Sequence, residues 1–279
     1  MSHVALQPGA VAAVTGGASG IGLAAARVFA ARGMKVAIAD LGPERLASAA
    51  RQIGGDVLAV AVDVADPLAV ARFAGSVAER FGGADVVMNN AGIGPDSAIL
   101  GPVEPWERIM AVNLWGVIHG TRAFLPGMLD RGRPGLIINT GSKQGITTPP
   151  GNPAYNIAKA GVKVFAEALE HDLRGRAEAD TAARISAHLL IPGFVFTGMT
   201  AGNLADKPAA AWTADQTVAF MLEKLTHGDF YILCPDNDVP RSLDEKRIAW
   251  AAGDLIQNRP PLSRWHPDYA DAFKAWANS

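Results

Sequence analysis

Short apolar runs alternate with longer amphipathic stretches over the first two-thirds of the chain. Residues 10–14 are apolar and run into a glycine cluster. The Ala-rich stretch 23–31 that follows predicts a helix stopped by Gly33. Residues 35–39 predict a second strand ending on Asp40, and Pro43–Ile53 a helix with proline in its first turn. A third strand is expected over 57–62, a helix over Pro67–Phe81 closed by Gly82 and Gly83, and a fourth strand over 85–88. The alternation continues through strands at 136–139 and 185–190, with a helix from about Tyr155 to residue 173 between them; 230–233 is the last strand expected. Strands apolar on both faces and separated by helices predict a parallel sheet covered on both sides, the doubly wound α/β layout.

Two stretches break this rhythm. Residues 175–183 form a polar, Ala-rich connection, and residues 194–212 mix Gly, Pro, Met and Trp with little period. A tail rich in Trp, Pro and Arg follows residue 234, with one short helix expected over 268–276. No repeat, low-complexity segment or linker divides the chain. The expected organisation is one domain over 1–234 and a C-terminal extension over 235–279, packed on the same domain or across a subunit interface.

Composition narrows the function classes. The 279 residues suit one large domain. Lys plus Arg number 25 against 27 Asp plus Glu, a net charge of −2, which gives no electrostatic grip on nucleic acid or an anionic membrane. Hydrophobic residues make up 49% and charged residues 19%, a balance that points to surface hidden in an oligomer. The one cysteine, Cys234, rules out a disulfide within the chain and reads as a buried apolar residue. The N-terminus lacks a signal-peptide layout, and no uncharged apolar run reaches about 18 residues. The expected location is therefore the cytoplasm. None of the six histidines has metal-ligand spacing with a partner, so no catalytic metal is expected.

The first candidate chemistry is a phosphate loop. Strand one leads into Thr15-Gly16-Gly17-Ala18-Ser19-Gly20-Ile21-Gly22 and then a helix. Glycines let the backbone turn tightly and approach a pyrophosphate, while the helix presents free N–H groups and a positive dipole end. Ser19 adds a hydroxyl. A glycine turn alone is weak evidence; its place between a first strand and a first helix makes it a nucleotide signal. Asp40, 18 residues after Gly22, can accept hydrogen bonds from both hydroxyls of an adenosine ribose and would repel a 2′-phosphate. No Arg or Lys stands at Gly17, Leu41 or Gly42, so NAD is expected over NADP. Asp63 and Val64 are expected at the adenine, with Asn89, Asn90, Ala91 and Gly92 lining the groove.

Tyr155 and Lys159 stand at i and i+4 on a helix and share a face. Alone, that pairing is a common feature of helix surfaces. Ser142 lies 13 residues earlier, after the 136–139 strand, and Asn113 lies in Val112-Asn113-Leu114-Trp115-Gly116. With these residues the chain resembles the short-chain dehydrogenase/reductase family, over roughly residues 9 to 234. The resemblance rests on the T-G-x-x-x-G-I-G turn, N-N-A-G, the Asn, the Ser, Y-x-x-x-K, and Pro192-Gly193-Phe194-Val195-Phe196-Thr197.

The resemblance implies a Rossmann fold and a role for each residue. Tyr155 would be the general acid/base, Lys159 would lower its pKa and hold the nicotinamide ribose, and Ser142 would hold the substrate oxygen. Asn113 would anchor a water linking Lys159 to solvent. Pro192, Gly193, the backbone at Val195 and the Thr197 hydroxyl would meet the nicotinamide. Work near neutrality asks the phenol to fall roughly 2–3 units, or about 3–4 kcal/mol. A cation at about 4 Å supplies about 1 kcal/mol in water and about 4 kcal/mol at an effective dielectric near 20, so a dry pocket is expected.

The extension beyond Cys234 departs from the family, whose members in this branch often stop soon after the last strand. It reads as a lid or an interface segment, the interface being favoured, with His266 structural. The 194–212 loop is expected to close over a moderately hydrophobic alcohol or ketone, although Lys143 and Gln144 could meet a polar group. A homo-oligomer, dimer or tetramer, is implied, the resemblance favouring a homotetramer. Two other readings are weighed. A cofactor-sensing or scaffold protein would have lost Tyr155 or Lys159. A nucleotide-sugar epimerase or dehydratase would carry a G-x-x-G-x-x-G loop and a larger C-terminal substrate domain.

Overall fold

Each apolar run forms a strand in the computed structural model, which describes residues 3–177, 185–201, 204 and 206–278. Residues 178–183 of the irregular connection, and 202, 203 and 205 of the 194–212 loop, lie outside these. The strands are β1 (Val11–Thr15), β2 (Lys35–Asp40), β3 (Val57–Ala61), β4 (Val86–Asn89), β5 (Gly135–Thr140), β6 (Ile185–Ile191) and β7 (Tyr231–Leu233). Among the described residues they make one sheet in the order β3-β2-β1-β4-β5-β6-β7, with every neighbouring pair parallel.

Side chains alternate across each strand. Val14, Ile38, Met88, Ile138 and Leu190 face one way, onto α1 (Gly20–Ala31), α2 (Pro43–Ile53) and α9 (Ala214–His227). Ala13, Ala37, Val87, Ile137 and Ala187 face the other, onto α3 (Pro67–Phe81), α5 (Gly116–Asp130) and α7 (Pro153–Ala177). Most of these side chains are fully buried, and each large aliphatic one contributes about 1.5–3 kcal/mol.

The sheet grows outward in both directions from β1 and β4, so their carboxyl ends open a crevice at the point where strand order reverses. The opposite end of the sheet is tied by Asp85. Its Oδ2 accepts the Val11 N–H at 2.9 Å, and its Oδ1 pairs with Arg133 at 2.9 Å and Arg131 at 3.5 Å. Arg131 also donates to the Ala84 carbonyl.

Helix α4 (Glu104–Met110) runs through a π-helical turn, Ala111–Trp115, into α5. Short helices α6 (Gln144–Thr147) and α8 (Gly198–Ala201) follow β5 and β6. Helix α7 starts at Pro153, two residues before the expected start. Asn152 caps it, its Oδ1 accepting from the Tyr155 N–H at 3.3 Å, and the Ser97 hydroxyl accepts from Ala154 N–H at 3.1 Å.

The tail holds more helix than its pattern predicts. Besides α11 (Ala270–Asn278), it contains α10 (Arg241–Gln257). Charged residues interrupt the apolar period of α10, and its Leu255 and Ile256 point into solvent, so no apolar stripe announces it. Trp250 anchors the extension. Its indole donates to Ser263 at 2.8 Å, and its ring packs edge-on to Phe273 and beside Trp276. His266 caps the 3-10 turn at Pro267–Tyr269 through the Asp268 N–H. No described helix is long and apolar enough to cross a membrane.

Candidate active site

The phosphate loop leaves β1 at Thr15 and enters α1. Gly16 has φ +65°, and a Cβ there would lie 2.8 Å from the Ala91 Cα. A Cβ on Gly22 would collide with the Gly16 carbonyl. The loop therefore keeps a bare concave backbone only as glycine. Ser19 at the N-cap of α1 is extended, and its hydroxyl caps nothing, whereas Asp66 and Thr213 cap α3 and α9 with their own side chains. Ile21, the second residue of α1, packs against the core beneath. Gly20 has φ +52°, and its Cβ position lies 3.1 Å from Thr197 Cγ2, so the loop after β6 closes onto the phosphate loop.

Asn90 and Ala91 brace this turn from β4. Both backbone N–H groups donate to Thr15 Oγ1, at 3.0 and 3.2 Å, and the Asn90 amide donates to the Thr15 carbonyl at 3.2 Å.

Asp40 ends β2 beside the loop. Its Oδ2 accepts from Ala18 N–H at 3.2 Å and its Oδ1 from Leu41 N–H at 2.8 Å. Arg45 of α2 approaches Asp40 Oδ1 at 3.5 Å. No cation stands at Gly17, Leu41 or Gly42, but the first turn of α2 folds Arg45 back over Gly42 to reach Asp40. Asp63 accepts from Ala65 N–H at 2.9 Å and pairs with Arg108 at 2.9 Å, while Val64 is buried against Gly116. These groups fit an adenosine diphosphate half: bare backbone for the phosphates, a carboxylate at the ribose position and an apolar seat beyond it.

Helix α7 brings the second group together. Tyr155 sits in its first turn and Lys159 one turn later. Lys159 is 4% exposed, donates to the Thr140 carbonyl at 2.7 Å, and lies 5.8 Å from the centre of the Tyr155 ring. Burial pushes its pKa down to about 8. Burial pushes the Tyr155 phenol up, and a hydrogen bond with the Ser142 side chain pulls the other way.

This bears on the expectation that Lys159 in a dry pocket brings the phenol down: burial instead pushes it up. Dryness strengthens the pull of a neighbouring cation, but it removes solvation from the phenolate as well, and at Tyr155 burial is the larger influence. The N-terminal end of α7, a positive dipole end, favours the phenolate by about 0.3–1 kcal/mol.

Asn113 is fully buried in the π-helical turn. Its Oδ1 accepts from Ile93 N–H and its Nδ2 donates to the Ile93 carbonyl, both at 2.8 Å. The side chain is thus committed to holding the strand-end backbone. Gly92, next to Ile93, faces the gap between Asn113 and Lys159: a Cβ there would lie 3.4 Å from Asn113 Oδ1 and 3.8 Å from Lys159 Nζ. Met199 reaches the same spot, its Cε 3.7 Å from that Cβ position and its Cγ 3.5 Å from the one at Gly94.

After β6, the Pro192 carbonyl accepts from Lys143 N–H at 3.2 Å. Val195 bridges to Trp212, and Thr200 Oγ1 donates to the Val195 carbonyl at 2.5 Å while accepting the Thr197 N–H at 3.0 Å. Thr200 was not singled out from sequence, since a threonine in an irregular loop carries no signal. Lys143 does not face the cleft as a free cation: its ammonium lies 2.6 Å from Asp244 and 3.3 Å from Asp236. Cys234 is buried, its thiol pushed up to about 12 by burial.

Comparison with known proteins bears on this geometry. Residues 10–208 match the family model described as short chain dehydrogenase. The chain is 35% identical over 254 residues to 1-deoxy-11-beta-hydroxypentalenate dehydrogenase of Streptomyces avermitilis, covering 88% of this chain and 91% of that protein. A short chain dehydrogenase/reductase from Burkholderia phymatum, solved in complex with NAD, superposes with a TM-score of 0.80 at 28% identity, over 92% of this chain and 97% of the other. An alcohol dehydrogenase from Thermococcus sibiricus complexed with 5-hydroxy-NADP gives 0.69 at 27% identity, over 78% and 90%.

Proposed function

Because the chain belongs to the short-chain dehydrogenase family and is an NAD(P)-dependent oxidoreductase of CH–OH groups, we propose that Tyr155, Lys159 and Ser142 interconvert a moderately hydrophobic secondary alcohol and its ketone, with NAD preferred over NADP. The observation that carries this reading is the buried Lys159 ammonium, held on Thr140, with Tyr155 above it and the Ser142 hydroxyl hydrogen-bonded to the phenol.

Hydride transfer is the chemistry that a nicotinamide would supply when held at this site. The chain supplies the proton chemistry. Ser142 holds the substrate oxygen and steadies the charge that develops there. Tyr155 takes the proton from the alcohol or gives it to the ketone. Because burial favours the neutral phenol in the ligand-free protein, Tyr155 is a ready acid, and the oxidising direction needs added positive charge or higher pH. Lys159 supplies part of that charge and holds the nicotinamide ribose. Asn113 fixes Ile93, next to the Gly92 that faces Lys159, where a relaying water would link Lys159 to solvent.

Gly16, Ser19, Gly20, Ile21 and Gly22 take the phosphates, Asp40 the adenosine ribose, and Asp63 and Val64 the adenine. Asn90, Ala91 and Gly92 line the groove; Pro192, Gly193, Val195 and Thr197 meet the nicotinamide. Asp40 underlies the preference for NAD, and Arg45 weakens it. With Lys143 held by two carboxylates, the cation next to Ser142 in sequence is not offered to a substrate, which favours an uncharged alcohol.

The same reading makes the protein a cytoplasmic homo-oligomer, dimer or tetramer. Trp115, Ile157 and Val164 each leave half or more of a large apolar side chain exposed, at 52, 50 and 62%. The domain boundary near residue 234, with an extension packed on the same domain or on a subunit interface, belongs to this reading too.

A screen of NADH formation across steroid, aryl, aliphatic and sugar alcohols, run in parallel with NADP, tests the reading. Turnover of apolar secondary alcohols with NAD preferred is expected. A preference for NADP overturns the cofactor assignment, and inertness toward every secondary alcohol overturns the reaction.

A further inference from the structure

A charged cluster lies beside the cleft and joins three parts of the chain that the reaction needs held in register. Lys143 follows Ser142 and caps α6; its N–H donates to the carbonyl of Pro192, and its own carbonyl accepts from Ile146 and Thr147 N–H groups at 3.0 and 3.1 Å. Its ammonium meets Asp244 at 2.6 Å and Asp236 at 3.3 Å, and the side chains of Lys143, Asp236 and Asp244 are only 16, 8 and 5% exposed. Asp236 follows β7, and its Oδ2 also accepts from the Phe194 N–H at 3.3 Å, inside the turn after β6. Asp244 comes from the first turn of α10 in the extension, and Arg247 stands 3.9 Å from its other oxygen.

Gly193 closes the arrangement. A Cβ there would lie 2.6 Å from Asp236 Oδ2 and 2.8 Å from Lys143 Nζ. The turn that carries Val195 and Thr197 therefore rests directly on the ion pair.

Such a cluster is a poor way to gain stability. Burying charges costs several kcal/mol per ion, and well-packed apolar replacements are often neutral or more stable. What it supplies is direction: one ammonium with two carboxylates fixes two loops against one helix at hydrogen-bond tolerance. Burial pushes Asp244 up while Lys143 and Arg247 hold it down, so its charged form depends on these partners.

We propose that Lys143, Asp236 and Asp244 are positioning residues that set the Ser142 hydroxyl against the 192–197 turn, and that through Asp244 the C-terminal extension is part of the active-site geometry. This rests on the hydride-transfer reading of the site. Ser142 fixes the substrate oxygen and the turn fixes the nicotinamide, so the cluster controls the distance and angle between the reacting carbons. A displacement of about 1 Å there costs up to about 100-fold in rate.

The test uses the full chain carrying Lys143→Met, Asp236→Asn, Asp244→Asn, and all three together. Three quantities are read: kcat and KM with the best alcohol, NADH affinity by cofactor fluorescence, and hydrogen exchange at the Phe194 and Val195 amides. Each single variant is expected to lose about 10- to 100-fold in kcat, with NADH affinity within about threefold because the adenosine half is untouched. Asp236→Asn should speed exchange at Phe194. The triple variant removes the Lys143 ammonium together with both of its carboxylates, leaving only Arg247 and Arg264 without Asp244, and should regain part of the melting temperature while kcat stays low.

Recovery of kcat together with stability in the triple variant would show that the cluster only balances buried charge, and would overturn the proposal. Unchanged exchange at Phe194 in Asp236→Asn would overturn it as well. If the parent protein oxidises no alcohol, the hydride-transfer reading fails by itself, and the exchange and fluorescence measurements still decide whether the cluster holds the turn.

Discussion

The ammonium of Lys159 lies over the face of the Tyr155 ring, 5.8 Å from its centre, with its hydrogen bond given to Thr140. A lysine so placed acts on the phenol through space, and the proton remains the business of Tyr155. Tyr155→Phe removes only a hydroxyl from a ring that still packs. Turnover is expected to fall by at least about 10²–10⁴-fold with NADH affinity nearly intact. Steady-state kinetics and a cofactor fluorescence titration check this; substantial residual turnover would refute the assignment.

The direction of the Tyr155 shift has its own consequence. Because burial raises the phenol, the basic form grows only as the solution becomes alkaline. Alcohol oxidation should therefore speed up with pH through the alkaline range, and ketone reduction should slow over the same range. Paired pH–rate profiles would show this, and an oxidation rate that is flat through that range would contradict it.

Lys159 carries a cost of the opposite kind. Its folded pKa of about 8 lies below the ordinary lysine value of 10.5, so the unfolded chain binds the extra proton between those limits. Stability attributable to this group is lowest below about pH 8 and recovers as pH rises toward 10.5. Lys159→Met should abolish most activity and yet raise the melting temperature of the ligand-free protein at neutral pH. A gain of about 1–3 kcal/mol is expected, less than the roughly 3 kcal/mol set by the shift, because the bond to Thr140 is lost. Thermal melts of both proteins from neutral to alkaline pH should show the gap closing.

Arg45 and Asp40 make a testable pair at the other end of the groove. Their contact at 3.5 Å is largely exposed on the arginine side, which limits it to about 0.2–1 kcal/mol. Arg45→Ala should sharpen the preference for NAD by about two- to fivefold, in keeping with that energy. Asp40→Ala should move the NAD to NADP ratio the other way by about tenfold or more, since a charge-assisted bond worth about 1.5–3 kcal/mol is lost. The ratio of kcat/KM for the two cofactors reads both.

Asn113 tests how the π-helical turn serves the site. Asn113→Leu keeps the branched outline of the side chain and leaves both polar groups of the Ile93 backbone without their partner. A stability loss of about 2–6 kcal/mol is expected, about 1–3 kcal/mol for each of the two orphaned groups. Denaturant unfolding measures it, and a neutral result would mean that the backbone at 93 finds other partners.

Much of this site was legible in the sequence because its parts are short and local. A glycine turn between strand and helix, an acid at the next strand end, and a Tyr–Lys pair one turn apart each carry their geometry in their spacing. The strands were legible for a similar reason: Ile38, Met88 and Ile138 are apolar because both faces of their strands are covered.

What was not legible depends on folding back in three dimensions. Arg45 reaches Asp40 only because α2 starts within a turn of β2. Asp236 and Asp244 meet Lys143 from some ninety and a hundred residues away. Helix α10 has no legible apolar stripe because it buries only Asp244, Trp250 and Gly253 and shows Leu255 and Ile256 to solvent. The direction of the Tyr155 shift is not legible because spacing shows a neighbouring charge but not the water that burial removes.

The anchoring of Asp85 to Val11, Arg131 and Arg133 lies at the end of the sheet opposite the crevice. The molecule thus divides its labour along the strand axis, which bears on how freely it can change. Loops at the carboxyl ends can be rebuilt for a new alcohol without disturbing the ties that keep the strands in register. Reinforcement of the amino ends can raise heat tolerance without touching the groups that choose the substrate. Selection, natural or in the laboratory, can act on robustness and on specificity through separate sets of residues.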